Sequence, residues 1–125
     1  MVTKVLDENG TFYLLPGGGQ EPGEKLDDCL KRECREETGY EIEVKGLLFI
    51  RECFLDKGIH RIEFIFRGAV TGQSDITRMD NKQLGIEWID LDNILNEPLY
   101  PENLRGLIQL LIRGYHEKTY IGEIV

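Results

Sequence analysis

The feature that most constrains this chain is a glycine-rich loop followed closely by an acidic, amphipathic helix. The run Pro16-Gly17-Gly18-Gly19 interrupts regular structure, and residues Glu24–Thr38 have the composition and spacing of a helix. Gly39 stands where a glycine ends a helix. The sequence therefore predicts a helix that begins just after a loop whose backbone can come close to a ligand.

Three carboxylates share one face of this predicted helix. Glu33, Glu36 and Glu37 stand at i, i+3 and i+4, within an arc of about 100°. Like charges at this spacing repel by roughly a few tenths of a kcal/mol per pair, and a hard cation such as Mg²⁺ would offset the repulsion. Arg32 lies beside them and can reach Glu36. A Glu-rich helix alone is more often a solvated face, so the metal-site hypothesis depends on the surrounding pattern.

The joint spacing resembles the Nudix box, G-x5-E-x7-R-E-U-x-E-E-x-G-U, in which U is a bulky apolar residue. Every fixed letter is present between Gly18 and Tyr40: Gly18, Glu24, Arg32, Glu33, Glu36, Glu37 and Gly39. Cys34 and Tyr40 replace the usual Ile, Leu or Val at the U positions, and both can still pack. The preceding Leu-Pro-Gly-Gly and the later Glu87-Trp88-Ile89 extend the resemblance over nearly the whole chain.

The resemblance implies a hydrolase that cleaves a nucleoside diphosphate linked to another group, by water attack at phosphorus with Mg²⁺ or Mn²⁺. Glu33, Glu36 and Glu37 are then metal ligands and catalytic residues, and the Gly17 carbonyl is a further ligand. The substrate stays open between a nucleoside triphosphate and a nucleotide sugar. The alternative is a Nudix-derived module that binds a nucleotide without cleaving it.

The remaining positions of the box have supporting roles by the same resemblance. Arg32 would orient the glutamates through salt bridges, and Glu24 would tie the loop to the helix. Gly18 and Gly39 would be structural, with Gly39 ending the helix.

Outside the box, Glu87 matches the place of a glutamate that joins the metal site or serves as general base in many Nudix enzymes. The alternative is an exposed glutamate at a strand end. Trp88 is expected in the core rather than as a platform for a base. Arg51 and Arg61 are candidates for contact with substrate phosphate, although each is more often a surface charge.

The rest of the pattern predicts strands on both sides of the helix and a second helix near the end. The predicted extended segments flank the turn Asp7–Gly10 and then cover Glu41–Phe54, His60–Thr71 and Gly85–Leu91. In the segment from His60, alternation predicts a half-buried strand, and the apolar residues Leu104 to Tyr115 have helical spacing. We expect a single domain, residues 1–125, of the α/β (α+β) class. The resemblance implies a Nudix-type α/β/α sandwich with a mixed sheet between helices.

Charge and cysteine content limit the partners and the compartment. The 23 Asp and Glu against 15 Lys and Arg give a net charge of −8, which argues against a nucleic-acid polymer or a membrane surface as partner. A small phosphate ligand remains compatible, because metal ions can hold it.

Cys29, Cys34 and Cys53 are expected as free thiols. Because the sequence also shows no secretory or membrane-spanning segment, we expect a cytoplasmic protein.

Only 15 residues precede Pro16, fewer than the family's usual apolar strand and hairpin occupy. That first strand is expected to be shortened or missing. Because an exposed sheet edge invites pairing with another chain, a homodimer is a further hypothesis.

Overall fold

The computed structural model describes residues 1–73 and 83–125. Its elements in chain order are β1 (Val2–Asp7), β2 (Gly10–Leu14), α1 (Leu26–Thr38), β3 (Tyr40–Phe54), β4 (His60–Gln73), β5 (Gln83–Glu87), α2 (Glu102–Ile112) and β6 (Tyr120–Glu123). Short 3₁₀ segments lie at Asp56–Gly58 and Leu91–Asn96. The mixture of helices and strands confirms the predicted α+β class.

The strands form two three-stranded sheets. One has the order β2-β1-β5 and is antiparallel; the other has the order β4-β3-β6, with β6 parallel to β3. Helix α1 lies against β3, and α2 packs on the 3₁₀ segment Leu91–Asn96. Helix α1 therefore packs on the long β3–β4 hairpin through β3.

A small apolar core fixes the strand that leads into the glycine loop. Val2, Ile94 and Leu99 are fully buried, and Tyr13 of β2 packs against them. The Tyr13 amide donates to the carbonyl of Pro98 (2.8 Å), and the Tyr100 amide donates to the carbonyl of Tyr13 (3.0 Å). Because β2 ends only two residues before Pro16, this anchoring positions the start of the loop.

The boundaries of α1 follow from its terminal residues. The helix begins two residues later than predicted, after Lys25, whose backbone is extended. Asp27 and Asp28 in the first turn favour the positive end of the helix dipole. At the other end Gly39 has φ 76° and donates its amide to the Arg35 carbonyl (3.0 Å), which confirms the predicted helix end.

Two predictions about later elements are wrong, and one strand is not anticipated by the sequence. The strand predicted through Leu91 ends at Glu87, because Asp90 accepts the amide of Asp92 (3.0 Å) and starts a 3₁₀ segment instead. Helix α2 ends at Ile112, because Gly114 has a φ of 89°, which a helix cannot accommodate. Tyr115 therefore lies outside the helix and is 62% exposed. Strand β6 was not predicted, because its four residues carry no alternating pattern.

Strand β4 also differs from its predicted burial. Ile62 and Phe64 are 51% and 40% exposed, whereas Glu63 on the opposite face is less exposed. The alternation in the sequence is real, but the apolar face of β4 points to solvent in the part of the chain that is described.

The cysteines agree with the prediction. Cys29, Cys34 and Cys53 are buried free thiols. Among the described helices, none has the length and apolar character required to cross a bilayer.

Candidate active site

Two consecutive glycines face two of the predicted metal ligands. The Gly17 amide donates to Oε2 of Glu37 (3.1 Å). A Cβ atom added to Gly18 would overlap the carboxyl carbon and both oxygens of Glu33. The absence of a side chain at Gly18 thus makes room for the Glu33 carboxyl group in its present position, and a side chain there would displace that carboxyl group.

Arg32 fastens the loop to the helix. Its Nε and Nη2 atoms bind both carboxylate oxygens of Glu24, at 2.7 and 3.0 Å, and Nη2 also donates to the Gly19 carbonyl (3.1 Å). The Glu21 amide donates to the same Glu24 carboxylate (3.1 Å). Hydrogen bonds from Arg32, and then from the Glu21 amide, lower the pKa of Glu24 to about 2. Glu24 in turn raises the pKa of Arg32.

The same guanidinium reaches the acidic face of α1. Its Nη1 atom donates to Oε1 of Glu33 (3.0 Å) and to Oε2 of Glu36 (3.3 Å). One arginine therefore contacts two of the three clustered glutamates and Glu24, the box glutamate that precedes α1. Gly19 is a contact that the sequence did not indicate, because a backbone carbonyl leaves no signature in the residue type.

Glu37 is the most perturbed carboxyl group of the cluster. Burial raises its pKa to about 7, and the charges of Glu33 and Glu36 act in the same direction, while the Gly17 amide opposes them. Burial first, and then the neighbouring carboxylates, thus favour the neutral form of Glu37 more than that of an ordinary glutamate.

The chemistry of the cluster fits a hard divalent cation, although its side chains are not gathered around one point. Within residues 1–73 and 83–125, no three His, Cys, Asp or Glu side chains are arranged as a ligand set. Glu33 and Glu36 instead contact Arg32. Three neighbouring carboxylates, one with a raised pKa, are the all-oxygen donor set that Mg²⁺ and Mn²⁺ prefer.

Glu87 lies at the end of β5, outside this cluster. It is paired in register with Val2, and its carboxylate is 3.6 Å from Nζ of Lys4. It forms no ion pair with α1 among the described residues. The following residue, Trp88, is in edge-to-face contact with Tyr40, directly after α1, with ring centroids 5.7 Å apart. The end of β5 is thereby brought beside the C-terminal end of α1.

Trp88 itself corrects the prediction of a core residue, because it is 57% exposed. Strand β5 ends one residue before it, so Trp88 is not held between packed layers. Its exposure and its contact with Tyr40 leave one side of the indole open.

The structure brings Arg51 and Arg61 together, on one carboxylate. Both bind Glu63, Arg51 at 2.7 Å and Arg61 at 3.1 Å. They line a cavity of about 200 Å³ with Cys53 and the last residues, Glu123 to Val125. Among the described ion pairs, neither arginine contacts the α1 glutamates.

A larger cavity of about 420 Å³ lies at the β1–β2 turn. Phe12 and Tyr100 line it and contact each other edge to face, with centroids 5.8 Å apart. Arg105 lies over the Tyr100 ring, 5.3 Å from its centroid. Tyr100 stands between two prolines, and no sequence motif marks it as part of a cavity.

Known proteins similar to this chain contain the same type of domain. The family profile of the NUDIX domain matches residues 5–111. Nucleoside triphosphatase NudI of Escherichia fergusonii is 48% identical over 42 residues, which are 31% of this chain and 30% of that protein. Nucleoside diphosphate-linked moiety X motif 6 of Mus musculus is 32% identical over 120 residues, 93% of this chain and 38% of that protein. The chain thus spans about a third of the length of these curated relatives.

Solved structures with the same fold include enzymes. A NUDIX hydrolase from Nitrosomonas europaea superimposes with a TM-score of 0.72 at 22% identity, covering 92% of this chain and 80% of that one. A UDP-X diphosphatase superimposes with a TM-score of 0.66 at 22% identity, covering 97% and 60%. At this identity the likeness shows the shared fold.

Proposed function

Because this chain belongs to the NUDIX domain family, we propose that it hydrolyses a diphosphate linkage in a nucleoside diphosphate joined to another group. The observation that carries the proposal is the junction of loop and helix. Gly17 and Gly18 face Glu37 and Glu33, and Arg32 binds Glu24, Glu33 and Glu36 at once. Charge stabilisation and positioning dominate phosphoryl transfer, and this junction supplies ordered carboxylates for both.

Glu33, Glu36 and Glu37 would hold Mg²⁺ or Mn²⁺, with the Gly17 carbonyl as a further ligand. A bound divalent ion neutralises phosphate charge and makes its bound water a nucleophile near neutral pH. The residues of this chain perform the positioning. The Gly17 amide orients Glu37, and the Arg32–Glu24 pair fixes the helix face against the loop. Gly39 fixes the end of that helix.

The other site residues are proposed for contacts further from the loop. Glu87 would join the site as a base or a metal ligand, which requires that its carboxylate leave Lys4. The contact of Trp88 with Tyr40 supports this role, because it places the end of β5 beside α1. Arg51 and Arg61 would contact substrate phosphate, which requires that the phosphate displace Glu63, their present partner.

The proposed substrate is a small nucleotide, either a nucleoside triphosphate or a nucleotide sugar. The relatives named as a nucleoside triphosphatase and as a UDP-X diphosphatase support these two classes. The net charge of −8 supports a small ligand held through a cation rather than a nucleic-acid polymer or a membrane. Three buried free thiols support a reducing, cytoplasmic environment.

We further propose that residues 1–125 form one domain that assembles as a homodimer. The NUDIX match over residues 5–111 supports a single domain. The outer edge of β4 is the described surface that supports assembly.

A non-catalytic nucleotide-binding module is the second candidate. Retention of all three glutamates favours the enzyme.

A phosphate-release screen distinguishes the two. The full chain is incubated with Mg²⁺ or Mn²⁺ and a panel of nucleotides. Inorganic pyrophosphatase is added for nucleoside triphosphates and a phosphomonoesterase for nucleotide sugars, so that each cleavage yields measurable phosphate. Turnover that disappears in Glu36→Gln and Glu37→Gln supports hydrolysis. Tight binding of a nucleotide without turnover supports the binding module.

A further inference from the structure

Among the described strands, β4 is the long open edge of its sheet. In the order β4-β3-β6, it is paired with β3 alone among the described strands, and it runs for 14 residues. From His60 to Val70 its own backbone is regular, because the irregularities of the pairing in that stretch lie in β3. A long, regular edge presents a row of amide and carbonyl groups ready to pair with another strand.

One face of this edge strand is apolar, and apart from the half-buried Phe66 it is exposed. Every second residue from Ile62 to Val70 lies on that face, and the set contains no charged residue: Ile62, Phe64, Phe66, Gly68 and Val70. Ile62, Phe64 and Val70 are 51%, 40% and 42% exposed. Charged residues or proline usually prevent an edge strand from pairing with another chain, and the apolar face of β4 carries neither.

The opposite face of β4 carries charges in a specific order. Arg61, Glu63, Ile65 and Arg67 alternate along it. Glu63 already binds Arg51 and Arg61, at 2.7 and 3.1 Å. Arg67 is exposed and forms no ion pair within the described part of the chain. This face therefore presents an acid and a base that are four residues apart, on either side of Ile65.

We propose that β4 pairs with β4 of a second copy of this chain, antiparallel, with the two-fold axis at Ile65. In this register Glu63 lies opposite Arg67 of the partner subunit, and the symmetry repeats the pair. On the apolar face, Phe64 lies opposite Phe66 of the partner subunit, also twice. Opposite charges and aromatic pairs at directly facing positions are the arrangements that stabilise antiparallel strands.

Neighbouring registers lack this complementarity. An axis at Phe64 puts Arg61 opposite Arg67 of the partner subunit, and an axis at Phe66 puts Arg67 opposite an isoleucine. An axis at Glu63 or at Arg67 puts like charges directly against each other. Among these five registers, the one centred on Ile65 places opposite charges at facing positions. Because β4 is thus complementary to itself, we infer that a second copy of this chain is the partner.

Oligomeric state tests the proposal independently of any catalytic activity. Sedimentation velocity of the full chain over a concentration series is expected to show a monomer–dimer equilibrium. Arg67→Glu turns both charge pairs into repulsions and is expected to raise the dimer dissociation constant about 10- to 100-fold. Arg113→Glu makes the same charge change outside β4 and is expected to leave the constant unchanged. Circular dichroism verifies that each variant is folded.

Cross-linking tests the register. Ile65→Cys places a thiol on the two-fold axis, so mild oxidation is expected to give a disulfide-linked dimer. Val70→Cys, which would face His60 of the partner subunit, is expected to give none. A wild-type chain that stays monomeric overturns the proposal, and so does a dimer that Arg67→Glu leaves intact. Equal cross-linking at the two positions overturns the register.

Discussion

The carboxyl group of Glu33 occupies the space that a side chain at residue 18 would need, so Gly18 and Glu33 are fitted to each other across the junction of loop and helix. The Gly17 amide makes the neighbouring contact with Glu37. The conformation of two predicted metal ligands is thus set by the two residues of the loop that lie next to them.

Gly18→Ala is expected to displace Glu33 and to reduce kcat by roughly 100-fold, because a misplacement of about 1 Å at a reacting centre has effects of this size. Gly19→Ala is the matched control, because a Cβ atom there meets no atom within 4 Å. Steady-state kinetics of both variants make the comparison. Equal activity of the two variants would show that the Gly18–Glu33 fit has no functional role.

Arg32→Lys is expected to reduce kcat by at least about 10-fold. Lysine offers a single ammonium group, which cannot bind Glu24 through two donors and reach Glu33 and Glu36 as well. Arg35→Lys is the control, because Arg35 makes a similar two-donor pair with Glu41 (2.7 and 3.2 Å) without touching the cluster. Similar losses in both variants would indicate a general effect on α1 instead.

Acid is expected to weaken the link between loop and helix through Glu24. Its pKa is about 2 in the folded chain against an ordinary value of 4.5, so its stabilising effect is complete above about pH 4.5 and is lost as the pH falls toward 2. Glu24→Gln is therefore expected to lower Tm at pH 7 and to differ less from wild type at pH 3. Thermal unfolding monitored by circular dichroism at both pH values measures this. A Tm difference that does not change with pH would contradict the assignment.

Glu37→Gln is expected to stabilise the metal-free chain while it abolishes turnover. Burial raises the pKa of Glu37 from an ordinary value of 4.5 to about 7, so the folded chain holds this proton more tightly than the unfolded chain. The stability that this group contributes is complete below about pH 4.5 and is lost as the pH rises through 7. A neutral amide avoids this loss, about 1 kcal/mol at pH 8 once solvent screening is included. Unfolding in EDTA measures the gain in stability. A loss of stability in EDTA would contradict this interpretation.

Much of the site could be predicted from the sequence because its contacts are local. Glu33, Glu36 and Glu37 share a face through helix periodicity alone, and Gly39 ends the helix by its own conformational freedom. The contact of Arg32 with Glu36 follows from their spacing of four residues. The Glu24 contact came from the family resemblance, because it spans a loop.

The remaining features depend on long-range packing, which periodicity does not encode. The exposure of Trp88 follows from the early end of β5, and the Arg51–Glu63 pair joins two strands that must first find their register. The apolar alternation of β4 correctly indicated a strand, but it could not show whether another part of the same chain covers that face.

The central claim is that the α1 glutamates of this chain support metal-dependent hydrolysis of a nucleotide diphosphate linkage. The most direct test is the rate of cleavage of the best nucleotide of the screen, followed by chromatographic separation of the substrate from its products, without a coupling enzyme. It is measured with and without Mg²⁺ or Mn²⁺, in wild type and in Glu36→Gln. We predict turnover by wild type that requires the metal and falls by at least about 100-fold in Glu36→Gln. Turnover that persists in EDTA, or that Glu36→Gln leaves unchanged, would contradict the account.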